Sequence, residues 1–307
     1  MGAAWVAGSV RARLLLEHRA GTETALLVAR AGSLENAVGL LSAADVVADP
    51  RGSSLEAAQR AVAASLALRL RLLAAWLPRD GAAGIRALAA WFELANIEDR
   101  LAYFVVGAEL RAPYELGMLS SIWTSAAATQ SVDELRRLLA GSSWGDPGSD
   151  DPDDVHLALR LAWARRVSTQ VPVARTWAAG AVALLLATEL LVAERPVDDD
   201  LVRRVRLGGS WAEAGSIAEL RELLPRIAAW ALDGVDDPAD LWRAELAWWR
   251  RVAADAELLT RSPLGGGEVV IGAVALLAFD AMLLTVALAV AAQGGRAAAR
   301  EVFDALC

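Results

Sequence analysis

Apolar residues recur along this chain at helical rather than alternating spacing, in long runs separated by short polar loops. The last run, Gly265 to Gln293, is the longest, and between Glu268 and Arg296 its only charge is Asp280. Its length matches a membrane span. However, the chain contains the same pattern three times. Gly272-Ala-Val-Ala-Leu-Leu277 recurs as Gly180-Ala-Val-Ala-Leu-Leu185, and Gly84-Ile-Arg-Ala-Leu-Ala89 is a looser copy. A carboxylate follows each glycine at nearly the same distance: Glu93, Glu189 and Asp280. Upstream, Leu161-Ala-Trp-Ala-Arg-Arg-Val167 matches Leu246-Ala-Trp-Trp-Arg-Arg-Val252, and Ser131-Val-Asp-Glu-Leu135 matches Ser216-Ile-Ala-Glu-Leu220. Both pairs are offset by 85 residues (131 to 216, 161 to 246), and Ser33-Leu-Glu-Asn36 is the weaker first copy. A shared offset marks one repeated unit: a Ser-capped helix, an Arg-bearing helix and an apolar helix.

The repeat bears on the membrane reading. In the first copy the apolar helix continues as Trp91-Phe-Glu-Leu-Ala-Asn-Ile-Glu-Asp-Arg100, half of it polar, which predicts a soluble amphipathic helix. By analogy the third copy is expected to be a buried core helix. The alternative is a single-pass anchor over residues 269–292, which would carry Asp280 in mid-span at about 2.5–3.5 kcal/mol.

The predicted elements follow local signals. A first helix covers residues 5–20 and ends at Gly21. A short second helix, capped by Thr22 or Thr24, runs to Ala31, where Gly32 interrupts. Asp49-Pro-Arg-Gly-Ser-Ser54 is a loop, and Ser53 with Glu56 reads as a capping box opening a helix that stops at Pro78. Asp80 and Gly81 are expected to turn the chain into the next helix, ending near Val106. Residues 120–130 read as helical, 141–154 as the longest irregular stretch, and Pro172 divides the second Arg-bearing helix from its apolar partner. A final helix is expected over Ala297–Leu306. The fold class is therefore all-α, in three similar helical lobes at 1–115, 116–205 and 206–307.

Composition narrows the chemistry. The net charge of −8 over 307 residues argues against nucleic acid and anionic lipid as partners. Every cation is Arg, so Walker A, Schiff-base and kinase-type lysines are excluded. The start of the chain lacks a signal-peptide pattern and the one cysteine, Cys307, is the last residue, so the expected compartment is the cytoplasm. His18 and His156 lie in different units with no ligand-type spacing, and Gly265-Gly-Gly267 lacks the strand and lysine of a phosphate loop. The acidic stretch Asp150-Asp-Pro-Asp-Asp154 lacks the turn glycine and distal glutamate of a calcium loop. Because Asp236-Asp-Pro238 and Asp240 recur before the next Arg-bearing helix, both read as helix caps. No catalytic, cofactor or metal site is expected. Glu93, Glu189 and Asp280 are expected to be structural carboxylates, paired with an Arg of an adjacent helix such as Arg69, Arg160 or Arg243. Of the twelve tryptophans, Trp144 and Trp211 fall in irregular stretches and are expected to be partner contacts.

Three patterns resemble the C-type central-stalk component of the V/A-type (vacuolar/archaeal-type) rotary ATPases, the counterpart of the d component of the eukaryotic V-ATPase. They are Val10-Arg-Ala-Arg13; Glu93-Leu-Ala-Asn-Ile-Glu-Asp-Arg-Leu101 with Gly107 and Tyr114-Glu-Leu-Gly117; and Pro263-Leu264 through Ile271-Gly272 to Asp280. The likeness spans nearly the whole chain. It departs at Asp280-Ala-Met-Leu-Leu-Thr285, where the family usually has Glu-x-x-Asn-Leu-Arg. The resemblance implies three helical lobes in a pseudo-threefold, funnel-like arrangement. It implies a non-catalytic central-stalk adaptor, peripheral on the cytoplasmic side. Its partners would be the rotating shaft and the membrane proteolipid ring of an ATP-coupled proton or sodium transporter, and it would need no cofactor or small-molecule substrate. The other reading of the repeat is a free-standing cytoplasmic scaffold that binds another protein.

Overall fold

A computed structural model describes residues 2–47, 54–197, 211–262, 266–294 and 303. Among them every regular element is helical. The expected loop at 49–53 with Ser53, Gly208-Gly209, Pro263 to Gly265, the helix over 297–306 apart from Phe303, and Cys307 lie outside the described residues.

The elements are α1 (Ala3–Glu17), α2 (Gly21–Ala29), α3 (Leu34–Ala43), α4 (Leu55–Ala74), α5 (Arg79–Val106), α6 (Trp123–Ala128), α7 (Val132–Ala140), α8 (Pro152–Gln170) and α9 (Arg175–Ala187). After these come α10 (Ile217–Leu223), α11 (Arg226–Ala229), α12 (Leu241–Thr260) and α13 (Gly267–Ala292). The Ser-capped, Arg-bearing and apolar helices occur in the expected order three times: α3–α4–α5, α7–α8–α9 and α10–α12–α13. The caps share one geometry. Ser33, Ser131 and Ser216 all have φ near −150°, and each side chain accepts the N–H three residues on, from Asn36, Glu134 and Glu219. Glu134 and Glu219 reach back to the N–H of Gln130 and Gly215, closing the cap from both sides. Asp151 accepts from the N–H groups of Asp153 and Asp154 with Pro152 at the first turn, and Asp237 does the same for Ala239 ahead of α12.

Several boundaries differ from the sequence expectation. The α4 cap is Ser54, not Ser53, and α4 ends four residues before Pro78. Asp80 and Gly81 lie within the first turn of α5 rather than in a turn before it. Gly21 starts α2 instead of ending α1; its φ of +65° is a backbone region open to glycine, and it sets the angle between the two helices. No side chain caps α2. The last turn of the α9 run, Thr188–Val192, is π-helical.

The chain divides by its contacts into two compact units, residues 1–85 with 250–307 and residues 86–249. The three-copy order of elements along the sequence is therefore not the order in which contacts group. In the first unit α13 packs against α1, α2, α3 and α4, so the end of the chain is embraced by its beginning. Pro172–Val192 and Gly267–Ala292 are both long and apolar enough to cross a bilayer, but 72% of the most apolar window of α13 is buried inside the structure, as in a core helix. Gly272 permits this packing: a Cβ there would lie 2.7 Å from the Ala256 carbonyl of α12. The matching Gly180 faces Trp230 and Trp248 in the second unit at 2.7 and 2.9 Å. The repeated glycine is thus a close-approach position in both copies.

The second unit has a core built on an i, i+4, i+7, i+11 stripe of α5, Ala90, Leu94, Ile97 and Leu101. Against it pack Ala126, Leu135, Leu139, Trp144, Val155, Leu159 and Ala162.

Candidate functional site

Beside that apolar stripe, α5 carries a polar one, and it faces inward. Glu93 is 0% exposed, Asn96 1% and Arg100 9%, whereas Trp91 is 43% exposed. The polar residues of 91–100 are therefore not the solvent face that the amphipathic pattern predicted. Glu93, Asn96, Asp99 and Arg100 bind the connector that follows α5. Arg86 donates through Nε and Nη2 to the Met118 carbonyl. Asn96 pairs with the backbone of Tyr114 on both sides, donating to its carbonyl at 3.0 Å and accepting its N–H at 2.8 Å. Asp99 accepts from Arg111 at 2.8 Å, and Arg100 donates through Nη2 to the Thr129 carbonyl.

Glu93 is the centre of this ladder. Its Oε1 accepts from the Ser120 hydroxyl at 2.9 Å and from the N–H groups of Ser121, Ile122 and Trp123 at 2.7, 2.8 and 3.0 Å. Its Oε2 accepts from the Ser121 hydroxyl and, at 3.2 Å, from the indole Nε1 of Trp144. Burial pushes the carboxyl up. The bonds from Ser121, Ile122 and Ser120 outweigh that effect and hold it below the usual glutamate value. A carboxylate held ionised with its lone pairs occupied makes a poor proton acceptor and a strong clamp. It seats the start of α6 by satisfying the N–H groups of Ser121, Ile122 and Trp123.

Asp280 occupies the matching position on α13. Its Oδ2 accepts the Gly21 N–H at 3.1 Å and faces Arg19 Nε at 3.2 Å. The expected Arg69 lies near enough to favour the charge but is not hydrogen-bonded to it. Oδ1 is buried without a hydrogen-bond partner, beside a small cleft lined by Ser65, Leu66 and Arg69. Here burial prevails over Arg19 and the Gly21 N–H, and the carboxyl is pushed above the usual aspartate value.

Glu189 is half-buried on the π-helical turn. Its charge partner is Arg195, 3.8 Å away, and not the predicted Arg160, which binds Glu98 at 3.2 Å. Arg243 pairs with Asp240. Arg195 also bridges Asp153 and Asp154 at 2.7 and 2.9 Å, tying the end of the π-helical turn to the start of α8. Glu93 and Glu189 belong to the second unit and Asp280 to the first, and each carboxylate has its own partners.

Trp144 and Trp211 require correction as partner contacts. Trp144 is 3% exposed and Trp211 0%. Trp144 is held by Glu93 and stacks beneath the Arg166 guanidinium at 4.9 Å. Among the described residues the exposed tryptophans are Trp76 and Trp91. No group of three or more His, Cys, Asp or Glu side chains suited to a metal ion occurs among the described residues. Comparison with known proteins returned no matching family profile and no matching curated sequence.

Proposed function

We propose that this chain is a non-catalytic adaptor of a V/A-type rotary ATPase, peripheral on the cytoplasmic side. In this reading it links the rotating shaft to the proteolipid ring and carries torque between ATP turnover and proton or sodium movement. The observation that carries the proposal is the fate of the Glu93-x-x-Asn96 motif. The residues on which the family resemblance rests are used to clamp backbone, with Glu93 accepting six hydrogen bonds and Asn96 exchanging two. Such a ladder fixes a connector rigidly to a long helix, which is what a torque-bearing part needs. The thrice-repeated order of Ser-capped, Arg-bearing and apolar helices supports the same reading, as does the packing of α13 within its own unit. The finer picture, three lobes around a pseudo-threefold funnel, belongs to this proposal.

A second reading, a free-standing helical-repeat scaffold for another protein, is favoured by one feature. The Asn and Arg expected after Asp280 are replaced in Asp280-Ala-Met-Leu-Leu-Thr285. The test is a tagged purification from gently solubilised membranes, with co-purifying chains identified by mass spectrometry. The adaptor reading expects the catalytic chains of the ATPase and a small ring-forming proteolipid. Recovery alone, or with unrelated chains, overturns it. An alkaline wash run in parallel separates a peripheral protein, which is released, from one anchored through α13, which stays with the membrane.

A further inference from the structure

α4 is apolar on both of its sides. The inner side buries Val62, Leu70 and Leu73, in a unit where α4 packs against α13. The outer side carries Ala64, Leu68 and Leu72 at four-residue spacing, and all three are exposed. Trp76 continues the row in the turn that closes α4, where its N–H donates to the Leu73 carbonyl. Leu68 is 43% exposed, Leu72 45% and Trp76 54%. A helix that is apolar all round is ordinarily covered all round. A single exposed leucine needs no explanation, but a row of them ending in a tryptophan marks a contact surface. The exposed aromatic anchor that Trp144 and Trp211 do not provide is present at Trp76.

The charge on α4 decides what covers the row. Between Glu56 and Asp80 the chain has four arginines and no carboxylate. At about 100° per residue, Arg60 and Arg71 fall on the same flank of the row, about three turns apart. Two copies of the chain laid row against row would set arginine against arginine, which opposes self-pairing. A bilayer engages a broad face of a helix, and the broad face of α4 is taken by its own unit. A row at four-residue spacing is instead the ridge that enters the groove of a second helix, and from Ala64 to Trp76 it runs about 18 Å. We infer that the outer row of α4 docks an amphipathic helix of another protein, with Asp or Glu beside its apolar stripe on the side that meets Arg60 and Arg71. Trp76 anchors one end, Leu68 and Leu72 fill the groove, and the arginines fix the orientation. This inference is independent of the adaptor reading.

The test is site-specific photo-cross-linking of the whole chain in cells, with benzoylphenylalanine in place of Leu72 and, as control, in place of the exposed Val192. The Leu72 position is expected to join one other protein, within a helix whose apolar stripe is flanked by carboxylates. Arg71→Glu should lower that yield about tenfold, and exchanging the facing carboxylate of the captured helix for Arg should restore it. Leu68→Ser should lower the yield as much, with the Tm of each variant within about 2 °C of wild type. Arg60→Glu replaces Arg71→Glu if the latter shifts the Tm further. An unchanged yield in the glutamate variant, a captured segment without carboxylates, a cross-link to a second copy of the chain, or none above the Val192 control overturns the inference. Flotation with phosphatidylserine vesicles is the second arm: binding that Leu68→Ser abolishes assigns the row to a membrane and also overturns it. A captured acidic helix from outside any rotary ATPase sustains the docking row while counting against the adaptor reading.

Discussion

The carboxylate of Asp280 accepts the backbone N–H of Gly21 at 3.1 Å across 259 residues of sequence. Gly21 is the first residue of α2, and α2 leads directly to the Ser33-capped helix. Glu93 does the same for α6, which leads to the Ser131-capped helix. In both places the carboxylate of an apolar helix seats the short helix ahead of a Ser-capped one. The third apolar helix seats α2 of the first copy, and the first seats α6 of the second. The two carboxylates differ in how completely they are satisfied, and that difference has consequences for pH.

Replacing Glu93 with Gln takes a buried negative charge away from its N–H and O–H donors and turns an amide N–H₂ toward some of them. Loss of about 3–5 kcal/mol is expected, measured by denaturant unfolding. The sign of the pH effect follows from the lowered folded value of Glu93. Its stabilisation is fully present above the unfolded value near 4.5 and is lost as pH falls through the lower folded value. The acid limb of the stability curve should therefore be flatter in Glu93→Gln than in wild type. An unchanged limb would show that the clamp does not depend on charge.

Asp280 has the opposite sign. Its folded value is raised above 3.8, so the folded state binds the proton more tightly. Its ionisation lowers stability as pH rises through the window between the two values. Asp280→Asn keeps an acceptor for Gly21 and frees Arg19, whose side chain is 24% exposed and can hydrate. The expected cost at neutral pH is within about 1 kcal/mol. A loss as large as that of Glu93→Gln would contradict the difference between the two carboxylates.

Gly180→Ala and Gly272→Ala should each cost about 1–3 kcal/mol, because the new methyl meets Trp230 and Trp248 in one case and the Ala256 carbonyl in the other. Gly39, exposed in α3 with open space around it, is the control. Gly39→Ala should stabilise by about 0.4–1 kcal/mol. Thermal unfolding of the three variants checks both signs.

Asn96→Ala removes both bonds to the Tyr114 backbone. A loss of about 1–3 kcal/mol is expected, together with faster proteolytic cleavage between residues 107 and 116. Cleavage at the wild-type rate would mean that the connector is held by its other contacts alone.

Elements governed by neighbouring residues were legible in the sequence. The Ser33, Ser131 and Ser216 caps, the Asp151-Pro152 and Asp237-Pro238 starts and the break at Pro172 depend on chemistry within a few residues. The 85-residue offset exposed the repeat for the same reason. What depends on distant chain was not legible. Glu93, Asn96 and Arg100 look like a solvent face until the connector at 111–129 folds over them and supplies their partners. Trp144 and Trp211 lie in irregular sequence, but irregular backbone is compatible with a fully buried side chain when a carboxylate or a core stripe waits for it. The grouping of α13 with α1–α4 follows from packing between opposite ends of the chain, which no period records. One signal for the Glu93 clamp was present: Ser120-Ser121 next to a short helix start, two hydroxyls suited to a buried carboxylate.

In the proposed role the chain couples two activities without performing either. Membrane vesicles from cells with and without the gene allow both to be read together, as ATP hydrolysis and as the ion gradient that ATP generates. The account predicts that vesicles lacking the chain hydrolyse ATP but build no gradient, and that adding the purified chain restores it. An undiminished gradient in its absence would contradict the account.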